Sequence, residues 1–182
     1  MGAASRHTQR WRAIKRMTLS QVQRRLWRCT VPMINSNENI RGPWSLSEAV
    51  AFMHETNVPM RLAVNGASGF PILTPLWHFW IDGSLWAAAK PSSAIVRALR
   101  NDPRCAFDIS IETPPYKGVR GRGQAKIETN GVPLLQRLLD RYMGTEAPEF
   151  QANLLHASKD ECAICIEPTQ LTSWDFSKRM GS

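Results

Sequence analysis

Arg120 and Arg122 are the residues whose type and spacing best suit chemistry with an anion. They lie in "PPYKGVRGRGQAKI", residues 114–127, which also contains three glycines and two lysines. This segment could be an arginine–glycine tract that binds nucleic acid, a loop that cradles phosphate, or a basic β-strand. Because guanidinium groups recognise phosphate and carboxylate through paired hydrogen bonds, each alternative gives the arginines a different ligand.

The alternation of residue types in this segment favours the strand. Small or apolar residues occupy the odd positions from Val119 to Ile127, and polar residues occupy the even positions from Arg120 to Glu128. A period of two predicts a β-strand, and an unstructured tract would have no reason to keep it. The glycine order G-x-x-G-x-G also differs from the dinucleotide fingerprint. The polar face of this strand therefore either meets solvent or is covered by an anionic ligand or a partner subunit.

A second candidate site lies in "LWAAAKPSSA", residues 85–94, where a strand passes into a helix. Lys90, Ser92 and Ser93 would bring an ammonium group and two hydroxyls to a helix N-terminus, which is a common arrangement for binding phosphate. The alternative is an ordinary helix cap with an exposed lysine. The local sequence leaves both interpretations open.

The preceding strand, "PILTPLWHFWI", residues 71–81, predicts two unlike faces. The odd positions are all apolar and suit a core, whereas the even positions, which include Thr74 and His78, mix polar and large apolar groups. Pro75 lacks a backbone donor and therefore predicts an edge strand or a bulge. The mixed face suits a buried interface or a flat ligand, although a lone histidine such as His78 is commonly a structural residue.

The elements that would position these residues can be predicted from turns and caps. Ser45 and Glu48 have capping-box spacing at the start of a helix, and Pro133 and Gly144 bracket another. The turns "NGASG" and "DG" predict hairpins. Six or seven hairpin-linked strands with three or four helices indicate an antiparallel barrel of the α+β class.

The positive charge of the chain is concentrated at one end. Residues 1–37 contain eight Lys and Arg and no acidic residue, and the remaining 15 Lys and Arg balance the 15 Asp and Glu. A duplex-binding domain carries its excess charge on the fold, so no nucleic acid is expected for the core domain. We expect no transmembrane segment, a cytoplasmic location and no metal site, since no apolar stretch spans a bilayer and the four cysteines lack zinc-site spacing.

The order of these segments resembles the pyridoxamine 5'-phosphate oxidase-like FMN-binding split barrels over about residues 45–178. The resemblance rests on the segment from Arg61 to Ile109, which contains "TPLW" and "DPR", then on "PPYKGVRGRG" and a terminal "SWDFSK". It implies a six-stranded antiparallel split β-barrel with flanking helices that forms a homodimer. It also implies FMN, or a deazaflavin coenzyme, bound at the dimer interface.

The resemblance implies a set of cofactor-binding residues. Those beside the isoalloxazine edge would be Thr74, Pro75, Leu76 and Trp77. Those at the phosphate would be Lys90, Ser92 and Ser93, with His78 and Arg97 as neighbours. Those close to the cofactor or the other subunit would be Tyr116, Lys117, Arg120 and Arg122, and Trp174 would close over the site. The sequence departs from the family at Ile95, where many members carry a basic residue that grips phosphate, so vitamin B6 oxidation is not expected.

The sequence thus predicts a basic, poorly ordered extension over residues 1–40 and a flavin-binding domain over residues 41–182. We expect a flavin-dependent oxidoreductase acting on a small molecule, with no catalytic residue assigned. A non-catalytic flavin or small-ligand binding protein would share every one of these features. A basic extension that binds nucleic acid or an anionic membrane is a third alternative.

Overall fold

The computed structural model describes residue 34 and residues 37–181. The predicted N-terminal extension therefore lies outside the described residues except for Ile34 and residues 37–40. Ile34 is buried in the core, and a short 3-10 helix at Asn37–Asn39 leads into the first strand. Described residues thus lie on both sides of the predicted boundary at residue 41.

Eight strands and five α-helices make up the described part of the chain. The strands are β1 Ile40–Arg41, β2 Met60–Asn65, β3 Pro71–Leu76, β4 Phe79–Ile81, β5 Ser84–Ala89, β6 Arg104–Ser110, β7 Lys117–Glu128 and β8 Cys162–Asp175. The helices are α1 Leu46–Glu55, α2 Ala94–Asn101, α3 Val132–Met143, α4 Pro148–Ala157 and α5 Ser177–Met180. None of the helices among these residues is long and apolar enough to cross a membrane.

The strands form one large sheet in the order β3-β2-β6-β7-β8-β5-β4, and all neighbours in this path are antiparallel. The sheet is not closed, since β3 and β4 end the path, and the short β1 pairs with β8 in parallel. The α+β class and the antiparallel sheet are therefore confirmed. The expected count of six strands differs from the eight observed, because β1 is added and the predicted strand over residues 71–81 is two strands.

The break in that predicted strand falls at Trp77 and His78, between β3 and β4. The inward face of β3 is also the opposite of the predicted one. Ile72 and Leu76 pack against the core, whereas Leu73 is 66% exposed. The prediction that residue 75 marks an edge strand is confirmed, because β3 is the last strand of the sheet.

Strand β7 has the two faces that its sequence predicts. Val119 and Ala125 are buried, whereas Arg120, Arg122 and the other even positions to 128 are exposed. Gly121 is needed for close packing, because a Cβ atom there would lie 2.5 Å from Cζ of Phe107 on β6. The arginines therefore project from one side of the sheet while the other side closes the core.

Helices α1 and α2 both pack against the sheet. The Ser45 side chain accepts a hydrogen bond from the Glu48 backbone N–H, and the Glu48 carboxylate accepts one from the Ser45 N–H at 2.7 Å, so the predicted capping box is confirmed. Helix α2 packs against β2, β3 and β7 on the core side, where it buries Ile95, Val96 and Leu99. Ile95 is thus a core residue.

Candidate functional site

The outer face of the sheet carries a cross-strand row that contains two predicted site residues. In register order the row is Pro75, Arg61, Asp108, Arg120 and Thr172. Directly opposed residues of an antiparallel pair share a face. Antiparallel pairing therefore brings Pro75 and Arg120 to the same side of the molecule, with two strands between them.

Charges within this row are partly neutralised. Arg61 donates a hydrogen bond to Asp108 at 2.9 Å and to the Ser110 hydroxyl at 3.1 Å, and it also forms an ion pair with Glu112. The Arg120 guanidinium lies 5.7 Å from the ring centroid of Trp174, which is within the range of a cation–π contact. Arg120 and Trp174, two of the predicted site residues, are thus in contact.

Arg122 lies in the next row, which runs Leu73, Ala63, Ala106, Arg122 and Gln170. Two neighbouring grooves open over this row, of about 540 Å³ and 400 Å³, and Ala63, Ala106 and Arg122 line both. Among the described residues, the guanidinium groups of Arg120 and Arg122 take part in no ion pair. This face therefore offers two uncompensated cations above a floor of small residues.

A second group of predicted residues meets at the N-terminus of α2. The Ser93 hydroxyl accepts from the Val96 N–H at 3.3 Å and donates to the Lys90 carbonyl at 2.7 Å, so Ser93 is the helix cap. Arg97 donates to the Ser92 carbonyl. Ser92 is exposed, and the first turn of α2 contains no acidic residue.

The charge balance at this helix end is nevertheless mixed. Burial raises the pKa of the nearby Glu161 carboxyl, and the positive charge of Lys90 opposes that shift. Three donors lie at this helix end, namely the Lys90 ammonium group, the Ser92 hydroxyl and the backbone N–H groups of α2. They suit phosphate because helix N-termini and ammonium groups both stabilise anions. Ser93 and Arg97 already have partners within the protein.

His78 and Trp77 lie against α3, where both contact Tyr142. His78 is 0% exposed, and its Nδ1 lies 2.9 Å from the Tyr142 hydroxyl. Trp77 stacks on the Tyr142 ring with centroids 5.3 Å apart. In place of the expected position beside a cofactor phosphate, His78 is enclosed in the fold, since its neighbours leave no surface for a ligand.

The environment of His78 keeps it neutral. The pKa of its imidazole is lowered to about 3, chiefly by burial and also by the Arg141 charge, whereas the hydrogen bond to the Met53 backbone opposes the shift. Nε2 is buried without a hydrogen-bond partner of good geometry. A neutral, enclosed imidazole of this kind is a structural group.

The other predicted residues occupy two further places. Thr74 alternates with Ile72 and Leu76 on the core side of β3. Tyr116 is 41% exposed just before β7, and Lys117 lies opposite Asp175 at the end of the β7–β8 pair. The "TPLW" residues are thus divided between the two sides of β3.

Two residues of these clusters are missed by sequence reasoning. Arg61 alternates with the buried Met60 and Leu62 of β2, and a charge at an alternate position of a strand could have marked it as part of the polar face. Tyr142 occupies an apolar stripe position of α3, and nothing in its local sequence indicates a partner 64 residues away. Among the described residues, no group of three His, Cys, Asp or Glu side chains is arranged to hold a metal ion.

Comparison with known proteins identifies the class of fold. A conserved hypothetical protein, Rv2991 from Mycobacterium tuberculosis, superposes with a TM-score of 0.62 at 26% identity, over 82% of this chain and 94% of its own. An F420 reductase superposes with a TM-score of 0.54 at 23% identity, over 66% and 93%. A Listeria innocua protein assigned provisionally as a pyridoxamine 5'-phosphate oxidase gives 0.52 at 15%, over 70% and 95%.

The chain therefore has the split-barrel fold of the pyridoxamine 5'-phosphate oxidase-like proteins. The fold implied by the resemblance in sequence is confirmed at this level. No model of a protein family and no curated protein matches the sequence. Since a fold can host many activities, the function is argued from the site.

Proposed function

We propose that this protein is a homodimeric oxidoreductase that binds a flavin or deazaflavin cofactor and acts on a small molecule. The observation that carries the proposal is the donor set at the N-terminus of α2, within a fold shared with an F420 reductase. There Lys90 and Ser92 lie beside a first helical turn without acidic residues. A cofactor phosphate is the ligand that these groups suit best.

The residues present fit the phosphate of such a cofactor. Lys90 supplies a charge, Ser92 supplies a hydroxyl, and the cap of Ser93 fixes the direction of the α2 backbone N–H groups. Arg97 holds the Ser92 carbonyl and so orients the loop before the helix. Bound there, a flavin or deazaflavin would supply hydride transfer, which no side chain of the protein can perform.

The outer face of the sheet would complete the site. Arg120, supported by Trp174, and the unpaired Arg122 add positive charge for an anionic cofactor or substrate. Two apolar side chains near β3 are highly exposed, Phe70 at 77% and Leu73 at 66%. Exposed apolar groups beside a polar groove are typical of an interface, which supports a partner subunit at this edge.

Cofactor binding can be tested with the purified protein. FMN and coenzyme F420 are titrated separately while cofactor fluorescence and the melting temperature are followed, and sedimentation gives the oligomeric state. We expect one cofactor to bind and raise the melting temperature, since a ligand of the folded state stabilises it. If neither cofactor binds at millimolar concentration, the proposal is wrong.

The non-catalytic binding protein remains the second candidate, and a further step separates the two. The cofactor-loaded protein is reduced chemically under anaerobic conditions, and its reoxidation is followed with a panel of enones, quinones and nitroaromatic compounds. Reoxidation that is faster than that of free reduced cofactor indicates an enzyme. Equal rates with every acceptor favour the carrier.

A further inference from the structure

The row that ends at Arg122 forms a slot with an apolar floor and a cationic end. Ala63 and Ala106 are directly opposed on β2 and β6, and Arg122 is opposed to Ala106 on β7. Leu73 bounds the slot on β3, and Gln170 lies beyond Arg122 on β8. We call these residues, Leu73, Ala63, Ala106, Arg122 and Gln170, the Arg122 slot.

Apart from Arg120, which packs on Trp174, the charged groups on both sides of the slot are paired with each other. On one side Arg61 is bound to Asp108 at 2.9 Å. On the other side Asp102 accepts from Arg104 at 2.7 Å and from the Asn65 amide at 2.7 Å. These bonds hold the pKa of the Asp102 carboxyl well below its usual range, with Arg104 as the largest cause.

Arg122 differs from these neighbours because its guanidinium forms no ion pair within the described part of the chain. It is exposed, it lines both grooves, and the groups beside it in its row are an alanine and an amide. A guanidinium in this setting can accept an external anion without breaking an existing pair.

The pairing of β7 with β8 is irregular beside Arg122, and a hydrogen bond from β8 holds the Arg122 backbone in place. The β7–β8 register shifts between Arg122 and Gly123, so that Thr169 is an extra residue on β8. The Thr169 hydroxyl donates a hydrogen bond to the Arg122 carbonyl at 3.1 Å. Bulges of this kind commonly redirect a side chain next to a functional site.

We propose that the Arg122 slot binds a small organic anion, with its charged group on the Arg122 guanidinium and its apolar body over Ala63 and Ala106. Paired hydrogen bonds from a guanidinium suit a carboxylate, and the alanines leave room for a flat or narrow apolar group. As a statement about the substrate, this rests on the proposed oxidoreductase function. The anionic group would then be the part of the substrate that the enzyme recognises.

A matched pair of ligands tests the slot directly. Naphthalene-2-carboxylate and naphthalene-2-carboxamide have nearly the same shape and differ in charge, and calorimetry measures the binding of each to the full chain. Hydrogen bonds to a charged group contribute about 1.5–3 kcal/mol, so we expect the carboxylate to bind about 10- to 100-fold more tightly. Arg122→Ala should abolish this preference, and Arg122→Lys should keep part of it.

Lys126→Gln is the control variant, because it removes one charge from the same face of β7 outside both grooves. Lys126 forms its own pair with Glu167 at 2.7 Å. The carboxylate preference should be unchanged in this variant, and melting temperatures of all variants verify that they fold. FMN and F420 titrations are repeated with Arg122→Ala, so that loss of the slot and loss of cofactor binding are measured separately.

Each result decides the inference. Equal affinity of the wild type for the two ligands would overturn it, as would a preference that survives in Arg122→Ala. If Arg122→Ala instead dissociates a dimer and leaves the ligand preference intact, the face is an interface between copies and the slot does not bind the anion. A preference lost only in Arg122→Ala, in a protein that binds neither cofactor, would support the slot and reject the oxidoreductase.

Discussion

The Tyr142 hydroxyl lies 2.9 Å from Nδ1 of His78 and 3.2 Å from the backbone nitrogen of the same residue. One side chain of α3 therefore binds the connection between β3 and β4 at two atoms. The stacking of Trp77 on the same ring adds a third contact. This arrangement fixes the point at which the predicted long strand breaks.

Tyr142→Phe should therefore destabilise the fold. The variant keeps the ring but removes the hydroxyl, which leaves buried polar atoms of His78 without a partner. An orphaned buried group costs about 1–3 kcal/mol, and we expect a loss of that size in the free energy of urea unfolding. Tyr116→Phe is the control, because Tyr116 is half exposed, and equal losses in the two variants would contradict the prediction.

Stability should fall in mild acid because of His78. The pKa of its imidazole is lowered from 6.5 to about 3 in the folded protein. Between these values the unfolded chain takes up a proton that the folded chain does not, so stability decreases as pH falls, by up to about 1.4 kcal/mol per pH unit. Burial and the Arg141 charge lower the pKa of His54 as well, with the same sign.

The contribution of His78 to this pH dependence can be isolated. The free energy of unfolding is measured for the wild type and for His78→Gln between pH 7 and pH 5. Both proteins contain the same carboxylates, so the effect of these groups cancels when the two pH profiles are compared. The wild type should lose more stability over that interval. The prediction is wrong if the two pH profiles are parallel. It is also wrong if the NMR chemical shifts of the imidazole nitrogens show that His78 takes up a proton near pH 6.

The elements that depend on local sequence could be predicted, and the contacts between them could not. The alternation of residues 119–128 specifies both faces of β7, because a period of two is a local property. The Arg61–Asp108 pair joins residues 47 positions apart and depends on strand register. Register follows from the packing of the whole sheet, which residue types alone do not reveal.

In the candidate site, too, some features could be predicted from the local sequence, and the contacts between elements could not. The helix cap at Ser93 and the exposure of Arg120 and Arg122 follow from spacing within single elements. The break at Trp77 and His78 is contacted by Tyr142 of a distant helix, and this contact could not be predicted from the local sequence. Both sets of alternate positions over residues 71–81 contain large apolar side chains, so residue types alone did not reveal that the even positions face the core, and Leu73 was assigned to the wrong side.

Two adjacent serines should have separable roles. The Ser93 hydroxyl caps α2, so Ser93→Ala should lower stability by about 1 kcal/mol. Ser92 is exposed and outside the cap, so Ser92→Ala should leave unfolding unchanged and weaken cofactor binding by about three- to tenfold, the value of one hydrogen bond. Urea titration and cofactor fluorescence measure the two effects, and cofactor affinity that is unchanged in Ser92→Ala would exclude this hydroxyl from the site.

Gly121→Ala should destabilise the sheet from the side opposite the arginines. A methyl group there would lie 2.5 Å from Cζ of Phe107 and 2.7 Å from the Gln170 carbonyl oxygen, closer than real side chains approach. Overpacking of a core typically costs about 1–3 kcal/mol, and urea unfolding should show a loss in this range. Gln124→Ala on the exposed face of β7 is the matched control and should change stability by less than about 0.5 kcal/mol. A Gly121→Ala variant as stable as that control would mean that β6 and β7 are not packed as closely as the structure shows.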